Sequence, residues 1–172
     1  MTVTENIELT PYTPPPAPFV ELQQTVASRA DAISPFVDQL MRFVKRFTMK
    51  FQDENDPELD IEIAVREALA NAIIHGNHGN PHKQVYVTCR CTMDGEVRVT
   101  VQDQGDGFVS LAIPDPTDPG RLLLPNGRGL YLMRTLMDEV SFEDPGNIVR
   151  MRKKLGAPIV WVNAVSTEQV KR

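Results

Sequence analysis

The chain has 172 residues, 41% of them apolar and 24% charged, and a formal net charge of −5. That length predicts one globular domain, able to bury about two-thirds of its unfolded surface without a metal or disulfide staple. The negative balance excludes a protein built to coat DNA, and no run of about eighteen apolar residues is present to cross a membrane.

The opening MTVTENIELT lacks the basic start and apolar stretch of a secretory signal. Cys89 and Cys91 do not make a disulfide framework. A cytoplasmic protein is the expectation. Pro11 to Pro18 (PYTPPPAP) fits neither helix nor central strand, because proline fixes φ and lacks an N–H. Residues 1–18 therefore read as a flexible proline-rich arm, 19–155 as the folded domain and 156–172 as a C-terminal tail.

Phe19 to Val26 suits a first strand. From Asp31 to Phe51, Ile33, Phe36, Val37, Leu40, Phe43, Val44 and Phe47 recur at helical spacing, with Arg42, Lys45, Arg46 and Lys50 on the opposite side. That basic side reads most simply as a solvated face. After a polar turn at 52–57, a second helix is predicted from about Glu58 to His75, ended by Gly76. Gln84 to Met93 alternates, with Val85, Val87, Cys89, Cys91 and Met93 facing inward. Asp94-Gly95 signals a hairpin into a second alternating strand, Glu96 to Asp103. A glycine- and proline-rich loop covers 104–129. Leu130 to Met137 reads as a short helix whose Leu132, Met133 and Leu136 point to the core. A last hairpin joins 139–143 to 148–154 around Asp144-Pro145-Gly146-Asn147. This order predicts an α/β (α+β) two-layer sandwich: a mixed, mostly antiparallel sheet with helices on one face.

Three short patterns carry chemistry. In EIAVREALANAIIHGN, the second helix buries Ile61, Ala64, Val65, Ala68, Leu69 and Ala72. Glu67 and Asn71 then lie one turn apart at the margin of that arc. An Asn carbonyl oxygen suits Mg²⁺, and a carboxylate one turn away can deprotonate or orient a hydroxyl. A solvated Glu beside a locally capping Asn is the plainer alternative. In Asp103-Gln104-Gly105-Asp106-Gly107, Asp103 continues the inward face of Val97, Val99 and Val101. Burying that carboxylate is costly without a partner, while Gly105 and Gly107 permit close backbone approach to a ligand. In Asn126-Gly127-Arg128-Gly129, glycines open a helix, where free amides and the helix dipole favour phosphate. His75, His78 and His82 are broken up by Gly76, Gly79 and Pro81 and read as surface loop residues. Cys89 and Cys91, on one strand face, read as core thiols.

Taken together and in this order, EALANAIIHG, DQGDGF and NGRGLYLM resemble the N, G1 and G2 boxes of the GHKL ATPases. That superfamily includes gyrase, histidine kinases and mismatch-repair ATPases. Within it, NAIIHG and GLYLMRTLMDEV are similar to the anti-sigma-factor serine/threonine kinases, over about residues 19–155. The resemblance implies ATP with Mg²⁺ held through Asn71, and Glu67 as general base or orienting group. Asp103 would accept from the adenine amine, and Gly105 and Gly107 would shape the adenine pocket. Val109 to Asn126 would form a lid, with Gly127, Arg128 and Gly129 at its hinge and phosphate contact. It also implies two protein partners, a small anti-sigma antagonist and a sigma factor or similar regulator. It implies no direct contact with nucleic acid or membrane, and leaves room for a homodimer. In sporulation-type kinases a basic residue often precedes the second glycine pair. Pro125-Asn126 stands there in this chain, with Arg121 and Arg128 nearby. That departure keeps open an alternative, a non-catalytic ATP-gated module that sequesters its partner.

Overall fold

The computed structural model describes residues 17–52, 55–107, 128–143 and 145–159. The arm up to residue 16, the lid segment with Gly127, and the tail beyond 159 lie outside the described residues.

Strand β1 (Phe19–Ala27) leads through a 3-10 turn into helix α1 (Ile33–Thr48). Pro35 is tolerated there because it falls in the first turn, where backbone N–H groups have no intrahelical partner. The buried arc of α1 is Phe36, Val37, Leu40, Met41, Val44, Phe47 and Thr48, while Arg42, Lys45, Arg46 and Lys50 stay exposed. Helix α2 (Pro57–Ala70) starts on a cap: Asp56 Oδ1 accepts from the Leu59 N–H at 3.0 Å, and Pro57 occupies the first turn. Strands β3 (Gln84–Thr92) and β4 (Glu96–Gln102) form the expected hairpin, with Gly95 at φ 88°. Met93, predicted inward, lies in that turn and is exposed, because the strand ends one residue earlier. Helix α3 (Arg128–Leu136) and the hairpin of β5 (Glu139–Glu143) and β6 (Ile148–Lys154) follow.

Among the described residues the main sheet has five strands in the order β1-β3-β4-β6-β5, and every ladder is antiparallel rather than mixed. α1 packs over β1 and β3, α2 over β4 and β6, and α3 over β5, giving the two layers predicted. Core side chains meet in cross-strand rows such as Leu22, Cys89, Val99, Met151 and Val140. The open face carries a row of Glu21, Arg90, Arg98, Arg152 and Glu139. Three facing arginines would repel one another. Glu21, Glu96 and Glu139 pair with them and offset that repulsion.

One small sheet was not visible in the sequence. β2 (Phe51–Gln52) pairs with β7 (Ala157–Pro158). The polar turn after α1 and the chain beyond β6 each have too few residues to show a strand period. Tertiary proximity pairs them, and Leu155 is buried beside them.

Candidate active site

The second predicted helix is two structures. α2 ends at Ala70, and Asn71–Gly76 forms a wider π turn in which the Asn77 N–H donates to Ala72 O at 2.8 Å. Such turns recur at functional sites because they rotate the following residues out of α-helical register. Here Ile73 is buried, Ile74 is exposed, and Gly76 faces Asp103. A methyl group on Gly76 would sit 2.5 Å from both Asp103 carboxylate oxygens, so no other residue type fits without displacing the carboxylate. The sequence marked Gly76 only as a helix end.

Asp103 follows β4 directly and is 9% exposed. Its backbone is tied on both sides: its N–H donates to Asn147 O at 3.0 Å, and Asn147 Nδ2 donates to its carbonyl at 3.2 Å. Among the described residues its carboxylate accepts one hydrogen bond, from the Gly105 N–H to Oδ1 at 2.7 Å. Burial pushes the carboxyl above the ordinary aspartate range. The Gly105 N–H and the charges of Lys83 and His78 pull the other way. A half-satisfied, largely buried carboxylate suits a ligand donor such as an exocyclic amine.

Asn77 was not singled out from the sequence. It is fully buried, and both ends of its amide are used: Nδ2 donates to Gln84 O at 3.0 Å, and Oδ1 accepts from the Gln104 N–H at 2.9 Å. It joins the end of the π turn to the start of β3 and to the peptide after Asp103. Its only sequence signal was a polar residue directly after His75-Gly76. Gly105 returns against Gly76: a methyl group there would overlap the Gly76 carbonyl oxygen. Gly107, with φ 75°, lies against the Pro145 carbonyl instead.

The other end of the site is built on α2. Glu67 and Asn71 are half-buried at the margin of the arc formed by Ile61, Ala64, Val65, Ala68 and Leu69, as the helical spacing predicted. Gly129, in the first turn of α3, sits directly against them. A methyl group on it would lie 2.6 Å from Glu67 Oε2, 3.5 Å from Asn71 Nδ2 and 3.6 Å from Asn71 Oδ1. Arg128 opens α3 and is exposed. Thus the first pattern meets the third at Glu67, Asn71 and Gly129, and meets the second at Gly76, Asp103 and Gly105. The residues fit a magnesium–nucleotide complex. An amide oxygen and a carboxylate converge beside a helix N-terminus whose Cα carries no side chain, and the buried carboxylate stands at the other end of the π turn.

His75, His78 and His82 are exposed. Cys89 and Cys91 are buried, and their mutual hydrogen bond together with burial pushes the Cys89 thiol up, which keeps it unreactive. No helix among the described residues is long and apolar enough to cross a membrane.

A two-layer fold with this three-part site is that of a histidine kinase-like ATPase domain, and the profile of that family matches residues 26–153. The chain belongs to this family, in the group that includes the anti-sigma F factors. It is 33% identical to the anti-sigma F factor of Heyndrickxia coagulans over 147 residues, which are 79% of this chain and 92% of that one. It is 32% identical to that of Oceanobacillus iheyensis over 124 residues (66% and 83%), and 31% identical to that of Clostridium perfringens over 131 residues (72% and 84%).

Proposed function

We propose that this protein is an ATP-dependent serine/threonine kinase of the anti-sigma type. It would bind a sigma factor or similar regulator and phosphorylate the small antagonist that releases it, in the cytoplasm. The observation that carries this reading is the convergence of Glu67, Asn71 and Gly129 at one end of the π turn and of Gly76, Asp103 and Gly105 at the other. The relatives named as anti-sigma F factors supply the partner class.

In this mechanism Asp103 accepts a hydrogen bond from the adenine amine, and Gly105, closed against Gly76, holds that carboxylate in place with its N–H. Asn71 would hold Mg²⁺ through its amide oxygen, and the metal would supply neutralisation of the phosphate charge. The N-terminal turn of α3, with Arg128 and Gly129, offers amides to the phosphates. Glu67 accepts the proton of the attacking serine or threonine hydroxyl. The hydroxyl oxygen bonds to the γ-phosphorus as the bond to the β–γ bridging oxygen breaks, and ADP leaves.

The test is incubation with γ-labelled ATP and small antagonist proteins of this regulatory class. Label on a serine or threonine of one of them supports the kinase. ATP binding with no transfer to any of them would replace it with an ATP-gated sequestering module.

A further inference from the structure

Lys153 is an inward-pointing charge. In the ladder of β4 and β6 it faces Val97, in the same row as Cys91, and both of these are fully buried. Its side chain is 15% exposed. The ammonium donates to Asp60 Oδ2 at 2.6 Å, in the first turn of α2, and to Leu136 O at 2.7 Å, the last residue of α3. A cation there also complements the negative end of the α3 dipole.

The two helices run antiparallel. Lys153 links the start of α2 to the end of α3, while Gly129 at the start of α3 meets Glu67 and Asn71 near the end of α2. Asp60 to Glu67 and Leu136 to Gly129 are both seven-residue steps, about 10 Å along each helix axis. Helices this short behave as rigid rods, so a clasp at one end sets their relative height at the other. At Gly129 the α3 backbone comes directly against the Glu67 carboxylate, whose Oε2 occupies the space a methyl group would need, so a change in helix height displaces that carboxylate.

We infer that Lys153, clasping Asp60 and the α3 carboxyl end, is a positioning residue that holds Gly129 in register with Glu67 and Asn71 and so governs binding of the terminal phosphate. This rests on the nucleotide site proposed above. Among the described residues the Lys153 ammonium bonds to Asp60 and Leu136 and not to Asp103 or Gly105, so binding of the base is expected to change less than binding of the terminal phosphate when the clasp is lost.

The experiment compares ATP and ADP affinities, with and without Mg²⁺, by calorimetry for the wild type, Lys153→Met and Lys153→Arg. All are measured well below each variant's unfolding midpoint. Lys153→Met keeps the length and apolar stem but loses the charge. Its expected result is ADP affinity within about two-fold of the wild type, with the Mg-dependent preference for ATP over ADP reduced about five-fold or more, a size typical of coupling between linked elements. Lys153→Arg, which keeps the charge, should recover most of that preference. A purely structural role would lower the unfolding midpoint and leave the ATP-to-ADP ratio unchanged. That result, or an equal loss of both nucleotides, overturns the clasp. A wild type that binds neither nucleotide overturns the site reading, and the clasp's role with it.

Discussion

Gly129 and Glu67 are in such close contact that a methyl group on the glycine would stand 2.6 Å from the Glu67 Oε2. The obstacle is the end of a flexible side chain, so Gly129→Ala can be relieved by a rotamer change of Glu67 at little cost to the fold. It should therefore unfold near the wild-type temperature yet transfer phosphate about a hundred-fold more slowly, the size of loss that a misplacement of about 1 Å brings. Gly105→Ala meets the Gly76 carbonyl, which is backbone and cannot swing away. It should lower stability by about 1–3 kcal/mol and weaken nucleotide binding as well. Thermal unfolding run beside a transfer assay separates the two. A Gly129→Ala enzyme with the wild-type rate would show that Glu67 is not held where the reaction needs it.

Glu67→Gln keeps the size and hydrogen bonding of the side chain but removes its basicity. ATP and the protein partner should bind nearly as before, while single-turnover transfer slows by about 10²-fold or more. An unchanged single-turnover rate would eliminate the proposed role.

Asp103→Asn should separate stability from binding. Burial raises the folded-state pKa of this carboxyl, so folding penalises its ionised form. In the free protein the advantage of the protonated carboxyl is full below the unfolded aspartate value and is lost as pH rises through the raised folded value, so the penalty on ionisation is in force at neutral pH. The uncharged variant escapes it and should be at least as stable as the wild type at neutral pH. An adenine amine donating to the carboxylate favours ionisation, so ATP affinity should climb across the same pH window and level off above it. A hydrogen bond to a charged group contributes about 1.5–3 kcal/mol, so the variant should lose about ten-fold or more in ATP affinity. Calorimetry with ATP and GTP over a pH series checks both. Equal affinity of the wild type for the two nucleotides would sink the adenine assignment.

Asn71→Ala should bind ATP without magnesium about as well as the wild type but lose most of the enhancement that Mg²⁺ gives. The side chain lies at the half-buried margin of α2, so the fold should survive its truncation. Titrations at matched ionic strength with and without Mg²⁺ decide the matter. A full magnesium effect in the variant would remove Asn71 as the ligand.

The helical period of α1, the alternation of β3 and β4, and the turn residues Asp94-Gly95 are local properties of the chain. They were legible because burial on one face imposes a period of 3.6 or 2 residues. The margin position of Glu67 and Asn71 was legible for the same reason. The functional patterns were legible as a set, since each is a short string in a fixed order.

Only the tertiary structure decided where those strings meet. No local period announces a π turn, which adds one residue to a helical ring, yet that turn is what sets Gly76 against Asp103. Asn77 and Lys153 carry no local signal, because their partners lie far along the chain: Gln104 for the amide, Asp60 for the ammonium. The same is true of β2 and β7, too short to carry a pattern and paired only because the folded sheet brings their ends together. Sequence determines which faces each element must bury. A buried polar group, by contrast, takes its meaning from its hydrogen-bond partner, and that partner is chosen by the packing of distant segments.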